Sequence, residues 1–206
     1  MRSLMRAVAS IVFASAVFGQ VPGTGSMEVG GFVGATYGTG SYGEMGGGNF
    51  SYAVNKYLLP YVEFSYFPYI ERQVTGTIGG TSTKFQGDYS LSGTDFHGGV
   101  HIRVPIRESR IVPYGVFGVG RLGYSSSTIS LTVPGFSAPI QVTSPGGGKA
   151  AVNFGGGLRF YVHPRFGLRV EAKGYKPFGE PSEGGADLGY SKIFLKVEGG
   201  FFLQFR

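Results

Sequence analysis

The sequence predicts an all-β protein, an eight-stranded antiparallel transmembrane β-barrel with up-and-down meander order after a cleaved signal peptide. Three observations predict this fold: eight segments alternate apolar with polar residues, a signal-like segment precedes them, and short and long connections alternate between them. Because successive side chains of a strand point to opposite faces, each alternating segment has one apolar face and one mostly polar face. A closed barrel turns the apolar face to lipid and the polar face to its interior.

Residues 1–19 are predicted to be the signal peptide. Arg2 and Arg6 give a positive n-region, and an apolar stretch follows at 7–18. That stretch is too short to span a bilayer as a helix, and the small residues Ala16 and Gly19 suit cleavage. Residues 20–206 then form a single barrel domain, whose net charge falls from +6 to +4 once the two arginines are removed.

The first four predicted strands lie at 27–37, 48–55, 59–67 and 94–104. They carry apolar residues at alternate positions, among them Val29, Val33, Phe50, Tyr52, Val62, Phe64, Phe96, Val100 and Ile102. Glycine is frequent in these segments, although it weakens an ordinary strand. In a small barrel, interior glycines make room for large neighbours and ease curvature, so their abundance agrees with the predicted fold.

The last four predicted strands lie at 111–124, 150–162, 167–175 and 191–205. The fifth strand is apolar on both faces, and we assign its Arg121 to the interior. The other three alternate clearly, with apolar faces that include Phe154, Leu158, Phe160, Leu168, Val170, Leu195, Val197, Phe201, Leu203 and Phe205. These apolar faces are predicted to meet lipid.

The connections between the predicted strands alternate in length. Three short turns lie at 55–58, 105–110 and 163–166, and four longer links lie at 38–47, 69–93, 125–149 and 176–190. Outer-membrane barrels show the same alternation, with short periplasmic turns and longer external loops. Within the third long link, 128–133 and 139–143 flank Pro134-Gly135, which predicts a hairpin beyond the membrane. Residues 74–78 and 85–91 are predicted to extend the third and fourth strands in the same way.

Four segments carry a family resemblance: 61–66 (YVEFSY), 95–100 (DFHGGV), 112–120 (VPYGVFGVG) and 167–171 (GLRVE). They resemble strands of the small eight-stranded outer-membrane barrels of the OmpA/OmpX-like group, and the resemblance covers the whole chain after the signal peptide. In that family a C-terminal aromatic strand is the assembly signal, which implies this role for Phe201, Leu203 and Phe205. The chain departs from the family in ending on Arg206 and in having no Trp.

The polar faces of the predicted strands carry many charges. We place in the barrel interior Glu28, Glu63, Asp95, His101, Arg103, Arg121, Arg159, Arg169, Glu171, Lys173, Lys196 and Glu198. Eight strands leave an interior just wide enough for side chains to fill, and buried charges there must be paired. The sequence therefore predicts an internal charge network that plugs the lumen, and the alternative is an ion pathway along the same residues.

No catalytic, cofactor or metal site is predicted. Residues 118–123 match the dinucleotide pattern, but they lie within a predicted strand, whereas that pattern must open a helix. His97 and His101 share a strand face with Asp95, and such histidines more often bond to neighbouring strands than to a metal. A lipid A-modifying enzyme would need a nucleophile, a base and an acid within reach, and the sequence has no His-x-Ser pair.

We therefore expect a monomer in the outer membrane of a diderm bacterium, with a structural or surface-interaction role. Its expected partners are outer-membrane lipid, the barrel-assembly machinery and periplasmic chaperones. Nucleic-acid binding is not expected because the basic residues are scattered, and disulfides are excluded because the chain has no cysteine. The alternatives are a narrow ion or solute pore, a lipid-modifying enzyme, and a soluble lipocalin-like barrel with its faces inverted.

Overall fold

The structure, a computed structural model, describes residues 23–38, 41–77, 84–107, 109–131, 140–144, 146–178 and 193–205. Ten β-strands lie within these ranges. The strands are β1 (Met27–Gly38), β2 (Ser41–Tyr52), β3 (Leu58–Thr77), β4 (Lys84–Arg103), β5 (Ile111–Tyr124), β6 (Ser127–Leu131), β7 (Ile140–Ser144), β8 (Gly147–His163), β9 (Phe166–Pro177) and β10 (Phe194–Phe205). Eight close into an antiparallel barrel in the order β1-β10-β9-β8-β5-β4-β3-β2, and β6 pairs with β7 separately. The predicted eight-stranded meander barrel is confirmed.

Side chains alternate between the barrel interior and its exterior along each barrel strand. In β9, Arg169, Glu171 and Lys173 are buried, whereas Leu168 and Val170 between them are exposed. The exterior is apolar on every barrel strand and includes Val29, Phe50, Val62, Phe96, Phe117, Phe154, Val170 and Val197. A soluble lipocalin-like barrel would carry its polar residues outside, so this arrangement suits a barrel that meets lipid.

Interior glycines make room for the aromatic residues that project into the barrel. Tyr114 of β5 lies over Gly157 of β8, where an added methyl group would lie 2.7 Å from the Tyr114 ring carbon Cζ. The Phe32 ring of β1 lies in the same way over Gly47 of β2, where an added methyl group would lie 2.5 Å from the ring carbon Cζ. The large and small side chains therefore interdigitate across neighbouring strands, as expected for a lumen of this size.

One end of the barrel carries the short turns, between β2 and β3, β4 and β5, and β8 and β9, and we call it the turn end. The opposite end, the loop end, carries the remaining connections. The prediction of a long link at 38–47 is wrong for most of that range. β1 runs to Gly38, β2 starts at Ser41, and these two residues pair. Residues 43–48 include four glycines, which have no side chain from which alternation could be read.

At the loop end, β3 and β4 continue beyond the rest of the barrel. The β2–β3 ladder ends at Tyr66 and the β4–β5 ladder at Gly93, whereas β3 and β4 pair as far as Thr77 and Lys84. The β6–β7 hairpin stands beside this extension and is joined to it where the Ser125 amide donates to the Ser92 carbonyl at 2.9 Å. The extension and the hairpin are found where the sequence predicted them. Residue 78 and the predicted turn at Pro134-Gly135 lie outside the described residues.

The predicted signal peptide, residues 1–19, also lies outside the described residues, as do residues 179–192. In the part of the chain that the structure describes, we find no helix with the length and hydrophobicity that a membrane span requires.

Candidate functional site: the charged barrel interior

The interior holds a dense set of buried charges. Eleven of the twelve residues predicted to lie there are buried, and these are Glu28, Glu63, Asp95, His101, Arg103, Arg159, Arg169, Glu171, Lys173, Lys196 and Glu198. They comprise five carboxylates, five basic side chains and one histidine, and a second histidine, His97, is buried among them. The interior is therefore electrically balanced when its two histidines are neutral.

Arg121 is the exception, and its assignment to the interior is corrected. In β5 the buried positions are Val112, Tyr114, Val116 and Leu122, whereas Arg121 is exposed on the outer face. Both faces of this strand are apolar, so alternation alone does not decide which one faces inward. The bulky aromatic face fills the interior here because Tyr114 packs against the glycines of β8.

Glu63 of β3 is the centre of the network. Its Oε1 accepts hydrogen bonds from Lys173 Nζ at 2.7 Å and from Lys196 Nζ at 2.6 Å. Its Oε2 lies 3.5 Å from the Arg169 guanidinium, which also donates to Glu198 at 2.9 Å. These contacts tie β3 to β9 and β10 across the lumen.

Glu171 of β9 links this centre to the turn end. Its Oε1 lies 2.5 Å from Lys173 Nζ, and its Oε2 accepts the Tyr114 hydroxyl hydrogen bond at 2.5 Å. His101 Nε2 lies 3.5 Å from the same Oε2, and the His101 ring stacks on Tyr61 with centroids 4.3 Å apart. The carboxylate therefore joins an ammonium, a phenol and an imidazole.

At the turn end, Glu28 of β1 lies between two arginines. Arg159 donates to Glu28 Oε2, and its other terminal nitrogen lies 3.1 Å from His101 Nδ1. Arg103 Nη1 lies 3.8 Å from Glu28 Oε1, and Arg103 Nη2 donates to the Asn55 carbonyl in the β2–β3 turn at 2.9 Å. This cluster anchors the network to a turn of the backbone.

At the other end of the network, Asp95 of β4 contacts both Lys196 and His97. Lys196 Nζ lies 3.7 Å from Asp95 Oδ2, and Asp95 Oδ1 bonds to His97 Nδ1. The His97 ring meets Tyr175 edge-on, with centroids 4.9 Å apart. The alternation of the fourth predicted strand places His97 on the same face as Asp95, although the predicted charge network does not include it.

A continuous series of charged contacts therefore runs along the lumen. From the turn end it passes through Arg103, Glu28, Arg159, His101, Glu171, Lys173, Glu63, Lys196, Asp95 and His97, with each neighbouring pair within 3.8 Å. The pairing satisfies charges that would each be costly to bury alone.

Apolar clusters lie at both ends of this charged series. Toward the turn end, Val112, Tyr161 and Phe202 pack together, and Tyr161 meets Phe202 edge-on with centroids 5.1 Å apart. Toward the loop end, Leu122, Ala151 and Tyr175 form a second cluster, against which Phe194 stacks. The described interior thus combines paired charges with an apolar cluster beside each end of the series.

The three carboxylates Glu63, Glu171 and Glu198 come close enough for a metal ion, with one oxygen of each within 4.8 Å of the others. Lys173 Nζ occupies their midst, however, at 2.7 Å from Glu63, 2.5 Å from Glu171 and 3.7 Å from Glu198. An ammonium group supplies the positive charge that such a cluster needs. The His97 and His101 rings have separate partners, Asp95 and Arg159, rather than a shared centre.

The predicted assembly residues lie on the last strand. Phe201, Leu203 and Phe205 of β10 are exposed on the outer face, and β10 closes the barrel by pairing with β1 from Met27↔Phe205 to Gly38↔Phe194. Their outward position leaves them available to lipid or to an assembly factor, and their role as a signal stays a prediction.

Comparisons with known proteins agree on the fold. No family model matches the sequence, and no curated protein matches it. Neisserial surface protein A superimposes with a TM-score of 0.52 at 11% identity, covering 87% of this chain and 96% of that one. A major outer membrane protein of Thermus thermophilus gives 0.52 at 13% identity, covering 87% and 99%. The N-terminal β-barrel domain of Pseudomonas aeruginosa OprF gives 0.48 at 12% identity, covering 89% and 100%.

At these identities the likeness shows the fold alone, and that fold is the small outer-membrane β-barrel. The outer-membrane location predicted from the sequence agrees with this fold and with the apolar exterior of all eight barrel strands.

Proposed function

We propose that the protein is a non-conducting barrel of the outer membrane, which holds an extended β-structure above the membrane for surface interaction. The turn end faces the periplasm in this proposal, and the loop end faces outward. It acts without enzymatic chemistry, as a monomer, after insertion by the barrel-assembly machinery with the help of periplasmic chaperones.

The continuous charge network is the observation that supports a non-conducting lumen. Ion flow needs a water-filled path, whereas the five carboxylates and five bases here are buried and contact one another along the lumen. The apolar clusters of Val112, Tyr161 and Phe202 and of Leu122, Ala151 and Tyr175 narrow the lumen further near each end. An eight-stranded barrel is narrow enough for such side chains to fill it.

The surface-interaction part rests on the strand edges at the loop end. Past Tyr66, the described residues offer β3 no neighbour on its β2 side, and within the same described ranges β7 pairs with β6 alone. An unpaired strand edge presents backbone donors and acceptors, to which an extended segment of a partner can add. The proposed partner is therefore a protein segment in β conformation.

Planar-bilayer recording tests the non-conducting proposal. The wild-type barrel is expected to give no steady conductance, because the lumen has no open path for water. A charge-balanced variant, Glu63→Ser with Lys173→Ser, removes one acid and one base from the centre and should conduct once it is shown to fold by its unboiled gel mobility. Large, stable single-channel openings from the wild-type barrel would overturn the proposal and favour the narrow pore.

A further inference from the structure

Arg121, which the sequence suggested for the interior, lies instead on the outer face of β5. Its cross-strand partners there are Phe96 on β4 and Ala150 on β8, and Phe96 and Val119 are exposed apolar residues. A basic residue among lipid-facing residues needs an explanation, because its charge is costly in the hydrocarbon region unless it reaches the membrane surface.

The barrel exterior carries very few charges. Of the outward strand positions whose exposure the structure describes, three are charged: Glu44 on β2, Arg121 on β5 and Lys176 on β9. Lys176 pairs with Val152 of β8, and Arg121 pairs with Ala150 of the same strand. The two basic residues are therefore separated by one strand and offset by two residues along it, or about 12 Å between their backbones. Glu44 lies on the opposite wall of the barrel, three strands away in either direction.

Both basic residues lie at the loop end of the lipid-facing surface. Arg121 stands three residues before the last residue of β5, and Lys176 stands next to the last residue of β9. The Arg121 guanidinium extends over Gly148, where an added methyl group would lie 2.6 Å from its Nε. Gly148 is closer than Ala150 to the loop end of β8, so the side chain reaches from the apolar belt toward the membrane surface, as interfacial arginines do.

We propose that Arg121 and Lys176 form a site for the phosphate group of lipid A in the outer leaflet. The site rests on the proposed orientation, which places the loop end in that leaflet. Guanidinium groups form paired hydrogen bonds with phosphate oxygens, and an ammonium adds a second positive charge nearby. Gly148 and Ala150 between them offer no bulky side chain, so a headgroup can approach the sheet. The acyl chains would lie along the apolar surface below, over Phe117, Val119 and Phe154.

Thermal stability in defined vesicles tests the site. The full-length barrel is refolded into phosphatidylcholine vesicles alone, with bisphosphorylated lipid A, or with lipid A whose phosphates have been removed. The midpoint temperature for losing the fast, folded band on unboiled gels is the readout. Phosphorylated lipid A should raise this midpoint by about 2–4 °C, and the dephosphorylated lipid or inorganic phosphate in solution should not.

Four variants locate the effect. Arg121→Gln with Lys176→Gln should lose the shift, and either single substitution should lose part of it. Lys56→Gln, which removes an exposed base at the turn end, should keep the whole shift. The proposal fails if the double variant is stabilised as strongly as wild type, or if dephosphorylated lipid A stabilises the wild-type barrel equally. Because the wild-type lipid comparison needs none of these four variants, poor folding of the double variant leaves the test intact.

These outcomes are distinct from failure of the proposed function. An inserted, non-conducting barrel that ignores the lipid phosphates would reject the lipid A site alone. A barrel that conducts would reject the closed lumen, whatever its response to lipid A.

Discussion

At the scale of single residues, Glu63 shows how the lumen is held together. Its carboxylate receives Lys173 and Lys196 at 2.7 Å and 2.6 Å on one oxygen and Arg169 at 3.5 Å on the other. Three basic groups from two strands, β9 and β10, therefore converge on one acid from β3. Lys173 and Lys196 each contact three carboxylates in return, so each charge here is shared among several partners.

Replacing Glu63 with Ala should lower the free energy of unfolding by about 3–5 kcal/mol, because Lys173 and Lys196 keep their buried charges and each lose a carboxylate within 2.7 Å. Urea unfolding of the barrel in lipid vesicles measures this difference. Glu44→Ala removes an exposed carboxylate on β2 and should change stability by no more than about 0.5 kcal/mol. A loss at Glu63 no larger than that at Glu44 would mean that the network contributes little.

The inward position of most of these charges could be predicted, and their partners could not. Period-two alternation places Glu171 and Lys173 on one face of β9 without any structure. Lys173 and Glu63, however, are 110 residues apart, and they meet only through the stagger of a closed barrel. Arg121 shows the limit of alternation, since a strand with two apolar faces gives no sequence signal for which one faces lipid.

At the scale of strands, hydrophobic alternation located every barrel strand but not every strand end. Polar extensions such as those of β3 and β4 carry weaker patterns, and the glycines at 43–48 hide the start of β2. In the structure, glycines also show where side chains pack closely. Gly157 and Gly47 on the inner face lie under aromatic rings, whereas Gly199 on the outer face of β10 has no atom within 4 Å of a would-be Cβ.

Gly157→Ala should destabilise the barrel by about 1–3 kcal/mol, because the new methyl group would clash with the Val170 carbonyl oxygen and lie 2.7 Å from the Tyr114 hydroxyl oxygen, which displaces the ring from Glu171. Near-ultraviolet circular dichroism of the tyrosines, followed during urea unfolding, reports both the displacement and the loss. Gly199→Ala makes the same chemical change in open space and should leave both signals as in wild type. Equal effects at the two glycines would contradict the packing argument.

Two variants can separate a role of Phe205 as an assembly signal from the effect of its exposure to lipid. Phe205→Asp is expected to leave unfolded precursor in the periplasm, by resemblance to the family in which this strand is recognised. Met27→Asp is the matched control, because Met27 pairs directly with Phe205 and is similarly exposed, at 47% against 54%. The folded fraction in isolated outer membranes is measured by unboiled gel mobility. If both variants assemble equally, or both fail equally, Phe205 has no special role.

At the scale of the whole molecule, the sequence predicts a closed barrel because the predicted strands combine apolar faces that do not suit water with polar faces that do not suit an apolar core. Apolar faces on all eight strands have to meet either lipid or one another, and the opposite faces carry too much charge for a solvent-excluded apolar core. The balance of five acids and five bases follows from the assignment of faces. The apolar clusters near the two ends do not follow from that assignment. Val112, Tyr161 and Phe202, for example, come from three strands whose relative heights are set by barrel closure.

The assignment of the whole exterior to lipid gives the last prediction. The chain has no cysteine, so single variants Ile102→Cys, Val170→Cys and Val197→Cys can each carry one spin label on β4, β9 and β10. In vesicles these labels should collide freely with oxygen and be shielded from a water-soluble nickel chelate, because their sites face the hydrocarbon layer. Labels at Lys56→Cys in the β2–β3 turn and at Ser125→Cys beyond β5 should show the reverse preference, since both sites lie outside the membrane-facing belt. Access of the nickel chelate to all three belt sites would mean that the apolar exterior does not meet lipid, and the outer-membrane location would fall with it.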